Sequence, residues 1–190
     1  MLSILEKLNQ LKRTLRMGWL ESGIPPSEAE DVAQHSFETT SITILIGDQL
    51  QRKGVEINLG RAIEMAVIHD WSEAIMGDLS REVSLELGEE IKNDLEEESL
   101  EELVGELPDG EKYLELWREY LGGESIEARL VKSADLLSIL VELINYRDRG
   151  WGNEQLNEIW DNVRGELATY GEEFAPVGEL LVELDGRYSD

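Results

Sequence analysis

The chain has only two histidines, His35 and His69, and the second is followed at once by Asp70. An imidazole and a carboxylate side by side are natural ligands for a divalent metal ion. Neighbours on a helix point about 100° apart, so both reach one ion only where a helix ends or bends. Gly77 lies too far along to supply that bend. Glu73 comes four residues after His69 and three after Asp70, which places the three on one side of a helix. Two ligands with a carboxylate beside them suit metal-assisted hydrolysis, in which the ion acidifies a water and the carboxylate moves a proton. A plainer reading stands next to this one. A histidine on an apolar helix is more often a packed residue than a ligand, and Glu73 is one of 42 acids. Its setting among Ala66, Val67, Ile68, Ala74, Ile75 and Met76 argues against a merely solvated face.

The segments that must position these residues read as helices. Leu5, Leu8, Leu11 and Leu15 recur at helical spacing in a first segment that is expected to end near Gly18, with Arg16 closing it. Residues 20–27 hold Gly23, Pro25 and Pro26 and read as a loop. Ser27 with Glu30 matches a capping box that would open a second helix running to about Arg52. Asn58 caps a third, 59–70, whose continuation breaks at Gly77. The acidic stretch Glu89 to Glu106 carries a thin stripe, Ile91, Leu95 and Leu103, and is expected on the surface, with no site assigned to Glu96, Glu97 or Glu98. A short helix from Lys112 to Leu121 precedes a long one, capped by Ser125 and ending near Tyr146; two more, near 154–169 and 176–184, close the chain. No alternating β-branched run or repeat stands out, so the fold class is all-α, a single domain over residues 1–190 with seven or eight helices.

Composition narrows the partners. Lys plus Arg is 17 against 42 Asp plus Glu, a formal net charge of −25 over 190 residues. Nucleic acid polymers and anionic membrane surfaces both need a basic face. The absence of cysteine removes disulfides, thiolate metal sites and a cysteine nucleophile, and a cytoplasmic setting is expected. The longest apolar run, Ile42 to Ile46, is far short of a membrane span.

His35, then His69-Asp70, then Asp135 in Val131-Lys132-Ser133-Ala134-Asp135-Leu136 resembles the H…HD…D pattern of the HD-domain metal-dependent phosphohydrolases. His69-Asp70-Trp71-Ser72-Glu73-Ala74-Ile75-Met76-Gly77-Asp78-Leu79 is similar to the H-D-x-x-E-x-x-x-G-D-L signature of their 5′-deoxynucleotidase branch. Arg16-Met17-Gly18-Trp19 resembles that branch's N-terminal Arg/Trp element, although two residues separate the pair here, which makes Arg13 a competing phosphate anchor. Gln34 stands before the first histidine where many relatives carry an acid.

The resemblance implies one divalent ion held by His35, His69, Asp70 and Asp135. It implies Glu73 as catalytic acid/base, Asp78 beside the substrate and the attacking water, Arg16 on the phosphate, Trp19 on the sugar and Ser80 in the substrate-contacting stretch. Two imidazoles and two carboxylates suit Mn²⁺, Co²⁺ or Ni²⁺, with Zn²⁺ open and Mg²⁺ less favoured. Lys132 shares a helix face with Asp135 and reads either as a phosphate contact or as a partner for acids. The implied activity is release of phosphate from nucleoside 5′-monophosphates, deoxyribonucleotides above all, by a homodimer. The alternatives are an HD phosphohydrolase of nucleoside di- or triphosphates or of cyclic phosphodiesters, and a non-catalytic helical protein stapled by its metal.

Overall fold

In a computed structural model of the chain, which describes residues 1–189, every regular element is a helix among the described residues. In chain order these are α1 (Leu2–Leu8), a 3₁₀ turn (Asn9–Lys12), α2 (Met17–Glu21), α3 (Val32–Arg52), α4 (Leu59–Ile68), α5 (Glu73–Met76), α6 (Arg81–Leu87), α7 (Glu89–Val104), α8 (Gly110–Gly122), α9 (Ile126–Asp148), α10 (Glu154–Glu173) and α11 (Ala175–Ser189). The all-α expectation holds. The number of helices is larger than the periodicity suggested, because two of the segments read as continuous, the first and 59–76, are interrupted and α6 forms where no helix was expected. Among the described residues, no helix is long and apolar enough to cross a membrane.

The chain gathers into two compact units, Met1–Ser36 with Val67–Arg118, and Phe37–Ala66 with Glu119–Asp190. In the first, α7 packs along α5, and α1 and the 3₁₀ turn close on the same short helix. Its core is built from Ile4, Leu11, Trp19, Ile24, Leu100, Leu103, Leu116 and Trp117. In the second, α9, α10 and α11 pack on one another, with Leu130, Leu137, Leu140, Trp160, Leu167 and Phe174 buried.

Several boundaries differ from those that spacing suggests. The first apolar segment stops at Lys12, and Arg16 is extended (φ −66°, ψ 112°), standing before α2 instead of closing a helix. The region read as a loop from residue 20 therefore begins inside α2. The second helix opens at Val32, not Ser27. Its reciprocal cap is Asp31 with Gln34: the Gln34 amide donates to Asp31 Oδ1 at 2.8 Å, and the Asp31 amide donates to Gln34 Oε1 at 2.9 Å. Gln34 is thus a capping residue, which gives its amide side chain a purpose an acid could share. The acidic α7 is exposed at Ile91 and Leu95 but buries Leu100, Leu103 and Val104 completely, so only its first half is a surface. Asn58 and Ser125 cap α4 and α9 as expected, accepting from the amides of Arg61 and Ala128, both at 3.1 Å.

One carboxylate in the second unit sits in a costly position. Glu38, half-buried on α3, has its pKa pushed up to about 6 by burial and then by the charge of Glu142. A carboxyl whose folded pKa lies above its ordinary value of 4.5 destabilises the fold when ionised. The penalty is full above pH 6 and is relieved as pH falls through the folded value toward 4.5. Replacing Glu38 by Gln should therefore stabilise the protein at pH 7.5 by about 1 kcal/mol, allowing for solvent screening at a half-buried position. That corresponds to a rise of roughly 2–4 °C in Tm, and the gain should vanish near pH 4.5. Thermal melts of both proteins across that pH range check the sign; an equal gain at both ends contradicts it.

Candidate metal centre

The first unit contains eight of the nine residues singled out from the sequence, and the backbone explains how they meet. α4 stops at Ile68, so His69 and Asp70 fall on the turn that follows and not on a continuous helix. The Trp71 amide donates to the Ile68 carbonyl at 2.9 Å and the Glu73 amide to the Asp70 carbonyl at 3.1 Å, a tighter winding that carries the chain into the one-turn α5. The bend that two adjacent ligands require is present one residue before them. Gly77 ends α5 with φ 78°, a conformation that disfavours other residues, and turns the chain so that Asp78 comes back toward Arg16.

His35 lies in the first turn of α3 and is completely buried; His69 is 3% exposed. Their Nε2 atoms are 3.4 Å apart. Asp70 Oδ2 is 3.2 Å from His69 Nε2 and 3.6 Å from His35 Nε2. Two imidazole nitrogens and a carboxylate oxygen thus converge on one buried point, and this donor set fits a divalent ion of borderline softness. Arg16 closes the cluster from outside, its Nη1 3.4 Å from Asp70 Oδ2 and 3.8 Å from Asp78 Oδ1. The Met17 amide also donates to the Asp78 carboxylate, so α2 and the segment after α5 are tied together.

Glu73 contributes the most telling atom. Its Oε2 is buried and has no hydrogen-bond partner among the described residues. Leaving a carboxylate oxygen in that state is costly, and such atoms mark places where a proton, water or ion belongs. Burial, followed by the charge of Asp70, raises the Glu73 pKa well above the ordinary range, with Asp78 and Glu96 adding to it against Arg16. Asp78 is likewise raised by burial, which outweighs Arg16. Asp70 goes the other way: burial would raise it, but His69, Arg16 and His35 together hold its carboxyl well below the usual range. Neighbouring carboxyls with divergent proton affinities are what acid/base chemistry needs.

Trp19 is 3% exposed and donates its indole N–H to Glu30 Oε2 at 3.1 Å, so it is a packed wall and not an open platform. Ser80 is 3% exposed and spends its hydroxyl as the cap of α6, accepting from the Val83 amide. Arg13 is exposed. Asp135 belongs to the second unit, half-buried on α9, where Tyr120 Oη donates to its Oδ2 at 3.1 Å. Lys132 donates to the Leu121 carbonyl at 3.0 Å.

Glu96 was passed over in the sequence. It is half-buried on α7, bonded to Lys92 at 2.6 Å, with a pKa raised by burial and by Asp70 against the Lys92 hydrogen bond. Its spacing held a signal, because Glu96 lies one turn before the buried Leu100 and so on the inward face. Glu30, buried against Trp19, was visible only as half of a capping pattern that the fold does not use.

A family profile described as "HD domain" matches residues 8–172 and so runs through both units. The chain is 27% identical to 5′-deoxynucleotidase HDDC2 of Homo sapiens over 191 residues, covering 100% of this chain and 86% of that protein. A solved structure of a conserved hypothetical protein from Pyrococcus furiosus superposes with a TM-score of 0.82 at 33% identity, over 97% of this chain and 99% of that one. An HD-domain phosphohydrolase from Listeria innocua shares the fold, with a TM-score of 0.78 at 23% identity and coverage of 98% and 88%.

If the converging donors hold an ion, ligand binding to the folded state should raise stability by about 2.7 kcal/mol at a hundredfold excess over Kd. Mn²⁺ or Co²⁺ added to chelator-treated protein should raise Tm by several degrees. The same addition to His69→Ala should leave Tm where it was, measured by scanning calorimetry at fixed pH.

Proposed function

Because this chain belongs to the HD domain family, matched over residues 8–172, we propose that it is a metal-dependent phosphomonoesterase of nucleoside 5′-monophosphates, with deoxyribonucleotides preferred. The observation that carries the reading is the convergence of His35, His69 and Asp70 beside Glu73, whose Oε2 has no hydrogen-bond partner among the described residues. A relative aligned along the whole chain and named a 5′-deoxynucleotidase supports the substrate class.

His35, His69 and Asp70 would hold the ion, with Asp135 as fourth ligand. Its support is its place in the Lys132-Ser133-Ala134-Asp135 stretch of the H…HD…D pattern. When bound, the ion supplies Lewis acidity toward a phosphoryl oxygen and acidifies water. Mn²⁺, Co²⁺, Ni²⁺ and Zn²⁺ fit a mixed nitrogen and oxygen set better than Mg²⁺. Glu73 takes the proton of the attacking water or returns one to the leaving 5′-oxygen. Burial and the charge of Asp70 raise its pKa, which favours the protonated form that a general acid needs. Arg16 presents a planar guanidinium to the phosphoryl oxygens, exchanging part of its contact with Asp70 and Asp78 for the substrate's charge. Asp78, anchored by the Met17 amide, lies beside the substrate and orients Arg16 and the attacking water. Trp19 limits the sugar side as a wall, and Ser80 shapes the same stretch through the cap of α6. Residues 1–190 act as one functional domain, and a homodimer is the expected assembly.

Phosphate release from a panel of nucleoside mono-, di- and triphosphates and cyclic phosphodiesters, with Mn²⁺ or Co²⁺, tests the proposal. Monophosphates should dominate, and release confined to the other classes would reject it. Glu73→Gln keeps the shape and removes the proton, so it should retain the ion while kcat falls by about 10²–10⁴-fold. Metal analysis alongside steady-state kinetics checks both halves. Wild-type protein should hydrolyse dAMP faster than AMP, and Trp19→Phe should narrow that gap while Arg16→Ala slows both substrates alike.

A further inference from the structure

We propose that Tyr120 is a positioning residue for the metal site, acting through Asp135; this rests on the reading of Asp135 as a ligand. Tyr120 lies in the last turn of α8 and Asp135 in the middle of α9, both in the second unit. The phenol Oη donates to Asp135 Oδ2 at 3.1 Å. The ring that carries it is held in place. Lys132, three residues before Asp135 and so on the same face of α9, sets its ammonium 5.5 Å from the ring centroid. That ammonium is tethered in turn, donating to the Leu121 carbonyl at 3.0 Å.

Gly123 follows α8 with φ 67°, a left-handed conformation that favours glycine, and a Cβ there would meet the Lys132 side chain at no more than ordinary contact distance. Glu119, the residue before Tyr120, is fixed as well: it accepts from Arg61 Nε at 2.8 Å and from Ser125 Oγ at 2.7 Å. The backbone around Asp135 is tied by Ser138, whose hydroxyl donates to the Asp135 carbonyl at 2.7 Å. A phenol so constrained holds the plane of the carboxylate in one orientation. Neither an exposed aspartate nor one facing a mobile side chain would have that restraint. Orientation set before the ion arrives lowers the cost of binding it, and removing such an outer partner typically weakens metal affinity about 10–100-fold. Lys132 thereby serves the carboxylate and not the phosphate, the role that its spacing alone left open.

Tyr120→Phe deletes the hydroxyl and keeps the ring that Lys132 covers. Co²⁺ titrated into chelator-treated whole protein, followed by its visible absorption bands, should show a Kd about 10–100-fold weaker in Tyr120→Phe. The melting temperature of the metal-free variant should stay near that of the wild type, which separates positioning from a general loss of packing. Lys132→Met, which frees the ring, should weaken Co²⁺ in the same direction and provides the readout if Tyr120→Phe does not fold. A Kd unchanged within twofold in both variants, with Asp135→Ala unable to bind Co²⁺, overturns the positioning role and leaves the ligand reading intact. Full Co²⁺ affinity in Asp135→Ala overturns the ligand reading, and the proposal with it.

Discussion

Two buried imidazole nitrogens and a half-buried carboxylate oxygen, all within 3.6 Å of one another, make an arrangement that a protein interior tolerates only with positive charge close by. Much of the first unit is organised to supply and restrain that charge. α2 begins where it does so that the extended Arg16 can lie between Asp70 and Asp78. The Asp31–Gln34 cap fixes the start of α3 and with it the height of His35. α7 packs along α5 and brings Glu96, neutralised in part by Lys92, to the edge of the same cluster.

The electrostatics of this cluster run against those of the chain as a whole. A net charge of −25 repels an anionic substrate at long range. Salt screens that repulsion over about 8–10 Å, whereas a half-buried guanidinium such as that of Arg16 acts at contact and is screened far less. Burial then divides the carboxyls into different kinds. Asp70 is held ionised by its cationic neighbours, while Glu73 and Asp78 are pushed toward the protonated form. A surface glutamate, by contrast, has none of these properties. The same residue type thus takes two chemical roles because its surroundings differ, not because its sequence neighbours do.

Four residues in the second unit, Tyr120, Gly123, Lys132 and Asp135, illustrate how a side chain acquires a role through tertiary contact. Fifteen positions separate Tyr120 from Asp135, and Gly123 bears on neither directly. The effect of each passes through the next: the left-handed glycine turns the chain after α8, lysine covers the ring, and the ring aims its hydroxyl. Only the spacing of Lys132 and Asp135 is periodic; the contacts that Tyr120 makes with both are tertiary and cannot be read along the chain.

The sequence by itself determined the fold class and the family, because helical periodicity and the spacing of His69, Asp70, Glu73, Gly77 and Asp78 are local properties. It also carried the caps at Asn58 and Ser125, where a polar side chain reaches a backbone amide three residues on. What it could not determine was where helices stop. Residues Ala66 to Met76 contain no proline or glycine, and nothing local ends a helix at Ile68. Packing of α5 against α7 and burial of His69 and Ser72 decided that end. Likewise, Ser27 with Glu30 and Asp31 with Gln34 are both plausible caps, and the choice fell to the pair that left Glu30 free to accept from the buried indole of Trp19. Local interactions worth about 1 kcal/mol propose such boundaries, and burial of large side chains, worth about 1.5–3 kcal/mol each, overrules them.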